Sequence, residues 1–224
     1  MVCLTSDDAL AIESTLSKDR LGTYRRTLRH LNIRQAITLY AWNVEVSGAF
    51  LFPQQVCEIA IRNAVSDGLS LVYGKDWPWA VGFERSLPDP QSGFSLRREL
   101  YAARAKVVMG ETKRVVPELK FAFWIRLFTQ RFDKRLWSEN IHRLFPGLPA
   151  DLEARLCREQ IYGELECVRS IRNRIAHHEP IFARNLMADY ERMLKLIGWR
   201  CPRTAAWLDR GQNICRILAS RPLA

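Results

Sequence analysis

The residues best suited to chemistry are concentrated in one stretch, Ser170-Ile171-Arg172-Asn173-Arg174-Ile175-Ala176-His177-His178-Glu179-Pro180-Ile181-Phe182, which holds two of the chain's four histidines. A guanidinium can hold a phosphate, an amide can position it, and an imidazole can carry a proton near neutral pH. Those groups suffice in kind for cleaving a phosphodiester without a metal. The same residues can also simply close a helix. Pro180 restricts Glu179 to extended conformations, so a helix must stop at about His177 or His178, where a protonated imidazole is favoured by the helix dipole. Spacing alone leaves both readings open.

The helix that carries the stretch is expected over 149–176, with Ile161, Leu165, Val168, Ile171 and Ile175 forming its apolar stripe. At about 100° per residue, Arg172 falls inside that stripe, next to Ile171. An inward guanidinium needs a carboxylate or a bound anion. Glu58 is the candidate partner, because it is the other charge embedded in an apolar helix; Arg62, four residues on, shares its face. Asn173 and His177 are also four apart and belong to a different face from Arg172. Arg172 and His177 are turned from each other by roughly 140°. They converge only if the helix end unwinds or a second copy contributes. As metal ligands, His177, His178 and Glu179 are poorly spaced, since adjacent side chains point apart. No serine or cysteine nucleophile signature and no glycine-rich phosphate loop is visible.

The elements that must position these groups read as helices throughout. Thr5-Ser6-Asp7-Asp8 offers a cap and an acidic first turn for a helix over 8–16. Ser17 caps a second over 18–31, with Leu21, Tyr24 and Leu28 on one face and Arg20, Arg25, Arg26 and Arg29 on the rest. A third is expected over 33–51, with Ile33, Ile37, Tyr40, Val44 and Ser47 inward, and Pro53 opens a fourth over 53–73. Residues 74–93 contain Trp77-Pro78-Trp79 and Pro88-Asp89-Pro90 and read as a long surface loop. Trp77 and Trp79 there either cover a core edge or stack on bases. Further helices follow over 96–109 (capped by Ser95, closed by Gly110), 117–128, 131–144, 183–197 and 202–219. No strand-period alternation and no repeat appears. The expectation is all-α, a single domain over 1–224 of about eight to ten helices.

With 34 Lys plus Arg against 24 Asp plus Glu, the chain carries +10, which makes nucleic acid a plausible partner. Its six cysteines show no CxxC and mostly apolar flanks. They are expected to be free thiols packed in a core, as suits a reducing cytosol. The acidic N-terminus is unlike a signal peptide, and no apolar run approaches the ~20 residues of a membrane span. A soluble, cytoplasmic protein without membrane association is expected.

Four segments together carry a resemblance: Tyr40-Ala41-Trp42-Asn43, Glu58-Ile59-Ala60-Ile61-Arg62-Asn63, Phe121-Ala122-Phe123-Trp124, and Arg172 through Phe182. In that order they resemble the Abi-like (abortive infection) proteins of the HEPN superfamily, over about residues 16–199, with Arg172 and His177 as the ends of an RxxxxH motif. The resemblance implies a HEPN-like helical bundle and a metal-independent endoribonuclease of a bacterial defence or toxin system. Two copies would form a homodimer with both motifs in one cleft, which answers the divergence of Arg172 and His177. It implies catalytic roles for Arg172, Asn173 and His177, with Glu58, Arg62, Asn63 and His178 in support. No cofactor and no metal are implied. RNA is the implied substrate, and an antitoxin protein is a further possible partner. The same superfamily includes non-catalytic modules that bind RNA or proteins.

Overall fold

The computed structural model describes residues 4–27 and 32–222; Leu28 and Arg29, named above, and Cys3, one of the six cysteines, lie outside them. The chain is all-α, with no strand among the described residues. Its helices are α1 (Ser6–Leu16), α2 (Lys18–Thr27), α3 (Ile33–Tyr73), α4 (Val81–Ser86), α5 (Leu96–Arg104), α6 (Thr112–Val115), α7 (Phe121–Arg126), α8 (Ile141–Leu144), α9 (Ala154–Ala176), α10 (Leu186–Arg200), α11 (Pro202–Gly211) and α12 (Ile214–Ala219). Among the described residues, no helix is long and apolar enough to cross a membrane.

The described residues group into two compact units. One comprises residues up to Phe52, Arg174–Met187 and the segment from Gln212 onward; the other comprises Pro53–Asn173 and Ala188–Gly211.

In the first unit, α1 starts on a capping box. The Thr5 hydroxyl accepts from the Asp8 amide at 3.1 Å, and the Asp8 carboxylate accepts from the Thr5 amide at 3.0 Å, which satisfies two otherwise orphaned donors. Ala9, Leu21 and Ile37 form the centre of an apolar cluster with Ile12, Leu16, Ile33 and Tyr40 packed around it. The Tyr24 ring meets Tyr40 edge-on at 5.4 Å and Phe182 at 4.9 Å. Burial pushes the Tyr24 hydroxyl up to a pKa of about 12, so it stays neutral. The buried stripe of α3 here is Ala36, Leu39, Asn43, Val46 and Phe50. Of the stripe expected from periodicity, only Ile37 is buried, and Val44 is 52% exposed.

In the second unit, aromatic side chains make the core. Trp77 packs edge-on against Phe83 and Trp124, and Phe128 stacks on Trp137 at 4.3 Å. Trp77 is fully buried, with its indole N–H donated to Ser66 Oγ at 3.2 Å. It is a core residue and offers no face to a base. Residues 74–93 are accordingly not a plain loop: a 3₁₀ turn at Trp77–Trp79 and α4 fold this segment around Trp77 and Phe83. Gly147 is required where it stands, because a Cβ there would lie 2.4 Å from the Gly198 carbonyl oxygen. Glu164 on α9 accepts from Arg192 at 2.8 Å and Lys195 at 2.9 Å on α10. Burial would raise its carboxyl pKa, but those hydrogen bonds more than offset it and hold the group below the usual carboxylate range.

Several boundaries differ from the sequence expectation. The helix expected over 96–109 and closed by Gly110 ends at Arg104, that expected over 117–128 is α7, Phe121–Arg126, and that expected over 149–176 starts at Ala154. The helices expected over 33–51 and 53–73 are one, with Pro53 inside it. An interior proline costs roughly 3 kcal/mol, and the burial of Phe50, Cys57 and Ile61 on either side of it offsets that. The helix expected over 131–144 is broken into a 3₁₀ turn, a π turn at Asp133–Trp137 and α8. The Asp133 carbonyl there accepts from both the amide (2.9 Å) and the hydroxyl (3.0 Å) of Ser138, which widens the turn to an i→i+5 bond. Finally, 202–219 is split, because the Gln212 side chain accepts from the Ile214 and Cys215 amides and starts α12 afresh.

The cysteines are free, but only Cys57 and Cys157 are buried; Cys215 is exposed and Cys167 and Cys201 are intermediate. The expectation of a packed core position therefore holds for two of the five described.

Candidate functional site

α9 ends at Ala176, and the next residues close it with a Schellman motif. The His178 amide donates to the Ile175 carbonyl at 3.0 Å, and the Glu179 amide donates to the Arg174 carbonyl at 2.8 Å. His178 occupies the left-handed position with φ +55°, where glycine is usual and histidine is one of the better-tolerated alternatives. The hydrophobic contact that normally accompanies this cap is replaced by an ion pair, Arg174 to Glu179 at 3.7 Å. Arg174 also donates twice to the Pro180 carbonyl, at 3.1 and 2.8 Å. From α2, Arg20 donates to the His178 carbonyl at 2.8 Å.

The segment that follows is held from α3. Asn43, 4% exposed, accepts from the amides of both Ile181 (2.8 Å) and Phe182 (3.1 Å) through its side-chain oxygen. Next to it, Trp42 donates its indole N–H to the Ile217 carbonyl at 2.8 Å. The Tyr40–Asn43 segment thus anchors the Pro180–Phe182 segment. Sequence reasoning quoted Asn43 but gave it no role. The available signal was an amide in register with Ala36, Leu39, Val46 and Phe50 on an apolar helix. His177 and His178 are both exposed and, with Ser17, Arg20 and Thr23, border a cavity of about 330 Å³.

Arg172 and Asn173 belong to the second unit, His177 and His178 to the first. Arg172 is half-buried, as its place beside Ile171 implies, and Ile161, Leu165, Val168 and Ile171 are buried. With Glu58, Asn173, Arg169, Lys120 and Phe121 it borders a cavity of about 530 Å³. This cavity joins three of the four segments that carry the resemblance: Glu58 from α3, Phe121 and Ala122 from α7, and Arg172 with Asn173 from α9. Lys120 fixes the start of α7 by donating through its amide and its ammonium to Glu99 on α5, each at 3.1 Å.

The expected Glu58–Arg172 ion pair is not formed. Both groups face the cavity, yet neither has a salt bridge among the described residues, and the one polar contact of Arg172 is a long 3.5 Å bond to the Asn173 side-chain oxygen. The cause is exposure: both side chains are only half-buried, so water solvates them across the cavity and removes the pressure to pair. Asn173 is therefore grouped with Arg172 and not stacked with His177, which lies beyond the last helical residue. Glu58 does not pair with Arg62 either. Arg62 keeps its Nε buried without a hydrogen-bond partner, and Asn63 is exposed.

No family model, curated protein or solved structure matches the chain.

Proposed function

We propose that the chain is a metal-independent endoribonuclease of the Abi-like, HEPN kind, a cytoplasmic protein of a bacterial abortive-infection or toxin system that acts as a homodimer. The reading rests on the RxxxxH run from Arg172 to His177 and on the basic charge of the chain. The observation that carries it is Arg172, a permanently charged group beside a cavity and, among the described residues, without an ion pair, although Glu58 and Glu118 line the same cavity. A half-exposed guanidinium without an ion pair is open to an anion, and a phosphodiester supplies one.

In this mechanism His177 takes the proton of an RNA 2′-hydroxyl, and the freed oxygen attacks the adjacent phosphorus. The 5′-oxygen leaves with a proton from an imidazolium, that of a second copy of the chain. Arg172 stabilises the charge on the non-bridging oxygens, and Asn173 orients Arg172. The products are a 2′,3′-cyclic phosphate and a 5′-hydroxyl. In EDTA, the protein should cut mixed RNAs to those ends and leave DNA intact, and His177→Ala should be slower by about 10²-fold or more. Equal cleavage by both proteins, or no cleavage by either, sinks the assignment. An antitoxin protein would be a partner on the same reading.

The second reading is a non-catalytic helical module that binds RNA or a protein partner. It is favoured by one observation: the Schellman motif at His178 accounts for the His-His-Glu-Pro run as a helix stop without any chemistry.

A further inference from the structure

We infer that the cavity at Glu58 and Arg172 selects guanine: the Glu58 carboxylate accepts from the N1–H and the N2 amino group of the base, while Arg172 holds a phosphate of the same single strand. This rests on the reading above for RNA as the ligand and adds which base the site takes. Of the charged side chains that line the cavity, three are already matched. Glu118 is paired with Lys106 at 3.4 Å, Lys120 with Glu99 at 3.1 Å and Arg169 with Glu166 at 2.6 Å. Glu58 and Arg172 are left, with no ion pair among the described residues. Both are half-buried. The one polar contact of the two is the 3.5 Å bond from Arg172 to Asn173.

Their opposite chemistry selects the ligand. A carboxylate only accepts hydrogen bonds and a guanidinium only donates them, so a ligand that serves both carries an anion and N–H groups. At about 530 Å³ the cavity falls in the roughly 300–1,000 Å³ range of small-molecule sites. Pro117 and Ala122 give it apolar wall on which a base can lie. The net charge of +10 favours a polyanion over a zwitterion, and the four bases of RNA are not equivalent to a carboxylate. Guanine presents two adjacent donors, N1–H and the N2 amino group, spaced for the two oxygens of one carboxylate. Adenine and cytosine present an amino group beside a ring nitrogen that accepts. Uracil presents one N–H between two carbonyl oxygens. Each of those acceptors is repelled by Glu58. In a duplex this edge is engaged by the pairing base, so the strand must be single.

The test is fluorescence anisotropy of the full chain with short labelled 2′-O-methyl oligouridines carrying one central guanosine, inosine, adenosine or uridine. None can be cut by attack of its own 2′-oxygen. The guanosine strand should bind roughly tenfold or more tighter than the adenosine and uridine strands. Inosine, which keeps N1–H and lacks the amino group, should fall between. Glu58→Gln replaces one acceptor with a donor and should bring the guanosine-to-adenosine ratio to within about twofold. Arg172→Met should weaken every strand and leave that ratio in place. The wild-type ratio requires no variant, so it stands as a test even if Glu58→Gln does not fold. Four strands bound alike, no strand bound, or a preference that survives Glu58→Gln overturns the inference. Displacement of the guanosine strand by guanosine monophosphate at a lower concentration than by the unlabelled strand also overturns it, in favour of a free nucleotide. Guanine-selective, Glu58-dependent binding by a chain that cuts no RNA supports this inference while the nuclease reading fails. RNA cleavage with no base preference in binding does the reverse.

Discussion

The turn at His177–Phe182 and the cavity at Glu58 and Arg172 treat the same kinds of residue in opposite ways. In the turn, polar groups are consumed by backbone: Arg20 by the His178 carbonyl, Arg174 by the Pro180 carbonyl, and Asn43 by the amides of Ile181 and Phe182. At the cavity, Glu58 and Arg172 lack a charged partner among the described residues. Fully paired polar groups specify a conformation, whereas half-exposed ones without a protein partner stay open to a ligand. The difference separates residues that build the chain from residues available to act. It also places the His178 backbone with the builders, while the imidazoles of His177 and His178 are both exposed.

The largest break in that contrast should come from Asn43→Ala. It strips the acceptor from two buried amides, each costing about 1–3 kcal/mol when unpaired, so urea unfolding should show a loss of roughly 2–5 kcal/mol. A loss below about 0.5 kcal/mol would mean that the turn does not depend on Asn43. His178→Gly should have a smaller effect of opposite sign. Glycine relieves the left-handed strain at φ +55°, so the unfolding free energy should rise by about 0.5–1 kcal/mol, with RNA cleavage unchanged. A fall in stability would show that the imidazole contributes more than its backbone does.

Much of this was legible in the residues. The Thr5–Asp8 box, the Ser95 cap and the stripe from Ile161 to Ile171 all follow from local rules, whereas Gly110 (φ +94°) does not close α5, which ends at Arg104. Arg172 at the edge of that stripe followed from 100° per residue. The pairing of Arg172 with Glu58 was expected and is not formed, because spacing fixes which way a side chain leaves its helix but not how much water reaches it. Pro53 misled for a related reason: it marks a helix start locally, and burial on both sides overrides that preference. The buried face of α3 was misplaced because Ile33, Tyr40 and Val44 outweighed Asn43 in a count of apolar positions. A buried amide there reads as a defect until its two backbone donors are known. The left-handed His178 was hidden because Pro180 dictates that the helix ends and not which residue turns it.

The account depends most on Arg172 being available and not structural. The direct measurement is RNA cleavage in EDTA by Arg172→Met, with thermal unfolding followed on the same sample. With no ion pair to break, the midpoint should stay within about 2–4 °C of wild type, equivalent to roughly 1 kcal/mol for a chain of this size, while cleavage falls about 10²-fold or more. A drop of roughly 3–5 kcal/mol in stability, the cost of breaking a buried pair, or cleavage at the wild-type rate, would contradict it.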